Sequence, residues 1–109
     1  MKRTDADHLD DALTHLRVLH EHLMLTEAHD QVVLDAAGLR LSASIECVGQ
    51  ISEALRMTVI DERTWRAVRG MRNRIAHAYA FVDPAVLRST LKGDVAGFHD
   101  DVRRLRAKA

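Results

Sequence analysis

The sequence predicts an all-α protein built as an up-and-down bundle of four to five helices. Apolar residues recur at spacings of three and four along most of the chain, which is the period of a helix with one buried face. One proline and five glycines among 109 residues are too few for the many turns of a sandwich or barrel. No stretch shows the alternation of polar and apolar residues that a half-buried strand requires.

The first two predicted helices are long and pair with each other. The first opens at Thr4, where Asp7 three residues later resembles a capping box, and it runs to about Leu25. The second covers about 31–57, which is long enough to lie antiparallel along the first. Its apolar face comprises Leu34, Ala37, Leu41, Ile45, Val48, Ser52 and Leu55.

The second half of the chain predicts two further helices and a short terminal one. The third covers about 64–79 with Thr64 as its N-cap. The fourth begins at Asp83-Pro84, a capping residue followed by a proline that suits the first helical position, and it runs to about Leu91. A break at Gly93-Asp94 then precedes the last helix. The apolar residues of that helix are Val95, Phe98, Val102 and Leu105.

Length and composition exclude several classes of protein. We expect one domain over residues 1–109, with 47% hydrophobic residues to build its core. The single cysteine, Cys47, excludes an internal disulfide and a cysteine-based zinc site. No apolar run approaches the roughly 20 residues that cross a bilayer. Because residues 1–5 also lack the apolar stretch of a secretion signal, we expect a soluble cytoplasmic protein.

Charge is unevenly distributed although the formal net charge is zero. Residues 1–53 carry four basic and ten acidic side chains, a net of −6, whereas residues 56–74 carry six arginines against two acidic side chains. An arginine cluster on a neutral protein indicates a focused anion site rather than a general nucleic-acid coat. A solvated helix face is the alternative, because the chain uses 13 arginines and only three lysines.

The segment 72–79 holds the candidate chemistry. Arg72 carries a planar, permanently charged guanidinium that binds phosphate with two hydrogen bonds. His77 accepts or donates a proton near neutral pH. Together these groups are sufficient to break an RNA phosphodiester without a metal or other cofactor.

Helix geometry separates the two groups. Arg72 and Tyr79, seven residues apart, share one face, and Asn73 and His77, four apart, share another. Arg72 and His77 differ by about 140° around an ideal helix, so they converge poorly on one small ligand. Either the helix ends or distorts near Ala76, or a second copy of the segment completes the site at a dimer interface.

These residues resemble a known family. Arg72-x-x-x-x-His77-x-Tyr79 matches the signature of HEPN-domain toxins, specifically the HepT-like group. The flanking residues 65–71 and Val82-Asp83 fit that group, and residues 49–54 resemble its Ile-Gly-Glu-Ala stretch with one extra serine. The resemblance extends from about Leu9 to Leu105, with Ala78 where the family usually has glycine.

The resemblance implies an all-helical HEPN domain that forms a homodimer with two motifs facing one cleft. Such toxins are metal-independent ribonucleases, with transfer RNA among their substrates. A minimal nucleotidyltransferase antitoxin silences them by attaching AMP to the motif tyrosine, here Tyr79. By this resemblance Arg72, His77 and Asn73 are catalytic. The residues expected to bind RNA are Arg66, Arg69 and Arg74.

Two other functions fit the same residues. The chain could be a non-catalytic nucleotide- or substrate-binding subunit of a nucleotidyltransferase complex, in which Arg72 and His77 only bind. It could also be a structural partner without activity, in which Arg72 forms an ordinary salt bridge and His77 lies at the surface. We also expect that Glu53, if it is not simply exposed, pairs with Arg72 or Arg69.

Four histidines recur every seven residues and would form one stripe along a helix. Successive members would be about 10.5 Å apart, too far to share a metal ion. We therefore expect a solvated or interface stripe rather than a metal site. Its members are His8, His15, His22 and His29.

Overall fold

The computed structural model describes residues 2–25, 31–81 and 84–109. Within these ranges every regular element is an α-helix, which confirms the predicted all-α class. None of the described helices is long and apolar enough to cross a membrane. The helices are α1 (Asp5–Leu25), α2 (Gln31–Gly49), α3 (Glu53–Met57), α4 (Glu62–Phe81), α5 (Pro84–Gly93) and α6 (Val95–Lys108).

Helices α1 and α2 form the antiparallel pair on which the rest of the bundle is assembled. Helix α6 packs against α1, and α4 and α5 pack against α2 and against each other. The largest completely buried side chains are aliphatic, as the scarcity of aromatic residues predicts. They are Leu9, Leu16, Leu19, Leu34, Leu41, Ile45, Val48, Ile60, Ile75, Val102 and Leu105.

The predicted capping box at the start of α1 is confirmed. The backbone N–H of Thr4 donates to Asp7 Oδ2 at 2.9 Å, and the N–H of Asp7 donates to Thr4 Oγ1 at 3.1 Å. Two backbone donors that the helix leaves unpaired are thereby satisfied. The same hydrogen bonds hold the pKa of the Asp7 carboxyl below its usual range.

The prediction of one helix over 31–57 is wrong, because the chain breaks between α2 and α3. Ser52 has an extended backbone, with φ −61° and ψ 140°, and its side chain accepts a hydrogen bond from the N–H of Leu55. The carboxylate of Asp5 accepts two more, from Ser52 N at 3.1 Å and from Ser52 Oγ at 2.9 Å. This tertiary contact anchors the break to the start of α1 and outweighs the helical pattern of the sequence.

Helix α4 begins two residues earlier than predicted, because Asp61 rather than Thr64 caps it. Asp61 Oδ1 accepts from the N–H of Thr64 at 2.8 Å, and this bond lowers the pKa of Asp61. The restart at α5 and the break between α5 and α6 occur as predicted, although Asp83 itself lies outside the described residues.

A buried arginine fixes the corner between α3 and α4. Arg56 is only 6% exposed, and its Nη1 donates to the carbonyl oxygen of Ile60 at 2.9 Å. Its Nη2 donates to Glu62 Oε2 at 2.8 Å, and its guanidinium carbon is 5.4 Å from the centre of the Trp65 ring. The corner is therefore held by a charged side chain with a partner on each side.

The histidines predicted to form a solvated or interface stripe are only partly exposed, and one of them contacts α2. His8, His15 and His22 are all partly buried, and Arg40 Nη1 of α2 lies 3.1 Å from His15 Nδ1. His29 lies outside the described residues. No group of three or more potential metal ligands forms in the described part of the chain.

A different histidine pair joins the first helix to the last. His20 Nε2 lies 3.1 Å from His99 Nδ1, and the two rings are stacked with centroids 5.1 Å apart. His99 is 7% exposed. Burial lowers its pKa below the usual 6.5, and the nearby charges of Arg103 and His20 lower it further against an opposing effect of Asp100.

We expect Arg56→Ala to lower the free energy of unfolding by about 2 kcal/mol, because the buried carbonyl of Ile60 loses its donor. Urea unfolding followed by circular dichroism measures the change. Arg63→Ala removes an exposed arginine seven residues further on, in the first turn of α4, and should cost less than about 0.5 kcal/mol. Equal losses for the two variants would show that Arg56 does not hold the corner.

We expect the protein to lose stability as the pH falls below about 6.5, in part through His99. Its pKa is lower in the folded state than the usual 6.5, so the unfolded chain takes up the proton first. The stability that neutral His99 contributes is complete above the pKa of this histidine in the unfolded chain. It is lost as the pH falls toward the lower pKa of His99 in the folded protein. Urea unfolding between pH 7.5 and 5.5 should give a shallower loss for His99→Gln, and an identical loss would contradict this assignment.

Candidate functional site

The motif lies on an unbroken helix. Helix α4 continues past Ala76 and His77 to Phe81, so the chain neither ends nor distorts at the motif. Arg72 and His77 therefore keep the separation of a regular helix, about 140° around the axis and about 7.5 Å along it. One copy of the chain does not bring the two side chains together, and the expected end or distortion of the helix near Ala76 is not formed.

The buried residues of α4 set the direction of every other side chain on it. Val68, Met71, Ile75 and Ala78 are at most 5% exposed and face the core. The remaining side chains are distributed around the helix at about 100° per residue. The edge facing α2 carries Trp65, Arg69 and Arg72, and the outward side carries Arg66, Asn73 and His77.

Arg72 forms an ion pair with Glu46 of α2. The Arg72 side chain is 31% exposed and that of Glu46 is 57% exposed. A pair this open to water is worth at most about 1 kcal/mol, so an RNA phosphate can compete for the guanidinium. Glu53 is exposed at the start of α3, as expected for a surface carboxylate, and the alternative of a buried pair with Arg72 or Arg69 is not formed.

Glu46 is a site residue that the sequence interpretation missed. Glu46 and Glu53 are seven residues apart, so they would share a face of one continuous helix. The break after Gly49 removes Glu53 from that face and leaves Glu46 beside Arg72. The sequence did contain one indication of its role. Glu46 follows Ile45 and so lies at the edge of the buried face of α2.

Two grooves between α2 and α4 meet at Arg72. The larger, about 480 Å³, extends toward the C-terminal end of α4 and includes Asn73. Its wall on α2 contains Leu39, an apolar side chain that is 69% exposed. The smaller groove, about 250 Å³, extends toward the N-terminal end of α4 and includes Trp65 and Arg69.

The arginines predicted to bind RNA do not form one surface. Arg66 and Arg69 are exposed, and no carboxylate pairs with either among the described residues. Arg74 is turned toward the far side of α4, where its Nη2 is 3.0 Å from Asp94 Oδ2. Asn73 and His77 are both exposed, one helical turn apart.

Two further positions bear on the motif. The backbone of Tyr79 belongs to α4, but its side chain lies outside the described part of the structure. Ala78 stands where the family usually has glycine, and it is 3% exposed within the same continuous helix. No left-handed turn is formed there, so alanine fits the position as a small core residue.

Cys47 is not a candidate nucleophile. Its side chain is half-buried and packs against the core, close to the predicted buried position. Burial and the nearby Asp11 carboxylate raise the pKa of the thiol. A thiol that is protonated at neutral pH is a poor nucleophile.

Comparison with known proteins agrees with the motif. A family model described as ribonuclease HepT-like matches residues 2–105. A protein of Thermococcus cleftensis named probable ribonuclease HepT is 26% identical over 109 residues, which cover 97% of this chain and 99% of that protein. No solved structure gives a significant match. The family match spans almost the whole chain, and the chain therefore belongs to the HepT-like ribonuclease family.

Proposed function

We propose that this protein is the toxin of a toxin–antitoxin pair and cleaves RNA as a metal-independent endonuclease, with transfer RNA as the first candidate substrate. The observation that carries the proposal is the arrangement of Arg72 and His77 on an unbroken helix in a chain of a ribonuclease family. The proposed activity requires the protein to be in the cytoplasm, where its RNA substrate is found.

In the proposed reaction, the imidazole of one His77 takes the proton from a ribose 2′-hydroxyl. The 2′-oxygen attacks the adjacent phosphorus, and the bond from phosphorus to the 5′-oxygen breaks. The leaving 5′-oxygen receives a proton from an imidazolium, so the products are a 2′,3′-cyclic phosphate and a 5′-hydroxyl. Each proton transfer contributes typically 10²–10⁴-fold in rate.

Arg72 would hold the phosphate and stabilise the negative charge that develops on its oxygens. Asn73, one turn before His77, would orient the imidazole or the phosphate. The exposed guanidiniums of Arg66 and Arg69 would bind neighbouring phosphates. Arg74 is engaged with Asp94 and would contribute only if that exposed pair opens.

A homodimer completes this site. Because Arg72 and His77 point about 140° apart on one helix, the Arg72 of one chain would act with the His77 of the other. A symmetric pair of chains contains two such sites, each with one Arg72 and one His77, and the imidazolium formed in the first step supplies the proton for the leaving 5′-oxygen. The exposed Leu39 beside Arg72 supplies apolar area for such an interface.

We expect wild-type protein to cleave total RNA in EDTA, and both His77→Ala and Arg72→Gln to be inactive. Mixing the two inactive variants through denaturation and refolding should restore about a quarter of the activity, because half of the dimers are mixed and each has one intact pair. Gel analysis of RNA products measures the recovery. No recovery from a folded mixed dimer would contradict a site shared between chains.

We expect Tyr79 to gain one or more AMP groups when the protein is co-expressed with a minimal nucleotidyltransferase. The added phosphates place negative charge near Arg72, where they would compete with RNA. Intact-mass and peptide mass spectrometry measure the addition, with Tyr79→Phe as the control. Unmodified Tyr79 in a complex that is nevertheless silent would contradict this route of inhibition.

Absence of cleavage by folded, unmodified wild-type protein would favour the second candidate function. In that case the motif would bind a nucleotide for a partner nucleotidyltransferase, and Arg72 and His77 would have no catalytic role. The open ion pair between Arg72 and Glu46 is compatible with either function, since both require an exchangeable anion site.

A further inference from the structure

The smaller groove beside Arg72 is built by two elements. Trp65, Arg69 and Arg72 are spaced four and three residues apart, so they line the groove from one face of α4. Glu46 and Gln50, from the C-terminal end of α2 and the residue after it, form the opposite wall. The volume of about 250 Å³ is below that of pockets that enclose a whole drug-sized ligand, so the open groove would hold one unit of a longer chain only in part.

The floor of this groove is tightly packed and leaves little apolar surface open. Ile45 is 1% exposed, and the indole edge of Trp65 lies over Gly49, with Cζ2 3.7 Å from the position of an added Cβ. Arg56 lies over the indole ring, 5.4 Å from its centre, and belongs to the buried corner between α3 and α4. The floor therefore does not need to rearrange when a ligand enters.

The rim of the groove is polar, with hydrogen-bonding groups of three kinds. The exposed guanidinium of Arg69 forms no ion pair with any described residue, and it offers donors for a phosphate and a flat surface for a base. The exposed amide of Gln50 presents both a donor and an acceptor. The Glu46 carboxylate adds an acceptor already paired with Arg72.

We propose that this groove binds one nucleoside monophosphate unit of the RNA chain, next to the phosphate held by Arg72. Arg69 binds the phosphate of that unit, the base packs against the accessible part of the Trp65 side chain, and Gln50 contacts the edge of the base. Gln50 is then a specificity-determining residue. This inference rests on the proposed ribonuclease function and names the subsite that gives it a base preference.

Trp65 is the single tryptophan of the chain and lines the groove, so its fluorescence reports binding directly. Wild-type protein is titrated with each of the four ribonucleoside monophosphates, with ribose 5-phosphate and with inorganic phosphate. We expect a saturable change with the nucleotides, unequal among the four bases, and a much weaker one with the two base-free compounds. Equal binding of nucleotides and inorganic phosphate would overturn the proposal.

Two variants test the roles of the rim. Arg69→Gln should weaken nucleotide binding about tenfold, as expected for one charged hydrogen bond. Gln50→Ala should reduce the differences among the four bases. Arg63→Gln, with the same charge change at an exposed position outside the groove, is the matched control and should leave the titration unchanged. An unchanged titration in Arg69→Gln would contradict the proposal.

Cleavage of RNA in EDTA by the same preparation separates the two proposals. Cleavage together with an absent fluorescence response to every nucleotide overturns the subsite and leaves the ribonuclease function standing. A base-dependent response without cleavage supports the groove as a nucleotide site and removes the ribonuclease function. With both present, Gln50→Ala should also change the sequence preference of cleavage.

Discussion

The burial of one side of α4 determines the site. Val68, Met71, Ile75 and Ala78 are packed into the core at three- and four-residue spacings, so the helix has no freedom to rotate. Every other residue of α4 takes its direction from that constraint. Rotation of α4 about its axis would expose the aliphatic stripe to water, at a cost of roughly 1.5–3 kcal/mol for each large side chain. It would also leave Arg72 and His77 as far apart as before, because both are on the same continuous helix.

Periodicity was sufficient to predict the helices but not their ends. The all-α class, the capping box at Thr4 and the break before α6 all follow from local patterns of the sequence. The break at Ser52 does not, because it depends on the carboxylate of Asp5, 47 residues away. The start of α4 was misplaced because Asp61 and Thr64 are both good caps, and only the structure shows which one the backbone uses.

The same contrast applies to the site: features set by one helix could be predicted, and features set by contacts between helices could not. The relation of Arg72 to His77 was predictable, because both are on one helix and the separation follows from helix geometry. The ion pair with Glu46 and the groove next to it were not, since each requires knowing which residues of α2 face α4. The break at Ser52 also contributes, because it leaves Glu46 rather than Glu53 beside Arg72.

The contacts of α6 with α1 have a consequence for the order in which the chain folds. Arg106 Nε is 2.7 Å from Asp10 Oδ1, and the His20–His99 contact joins the same two helices. These partners are 96 and 79 residues apart in sequence, whereas α1 and α2 are consecutive. Closing so long a loop has a larger entropic cost than forming the first hairpin. We therefore expect the α1–α2 hairpin to form before α6 docks against it.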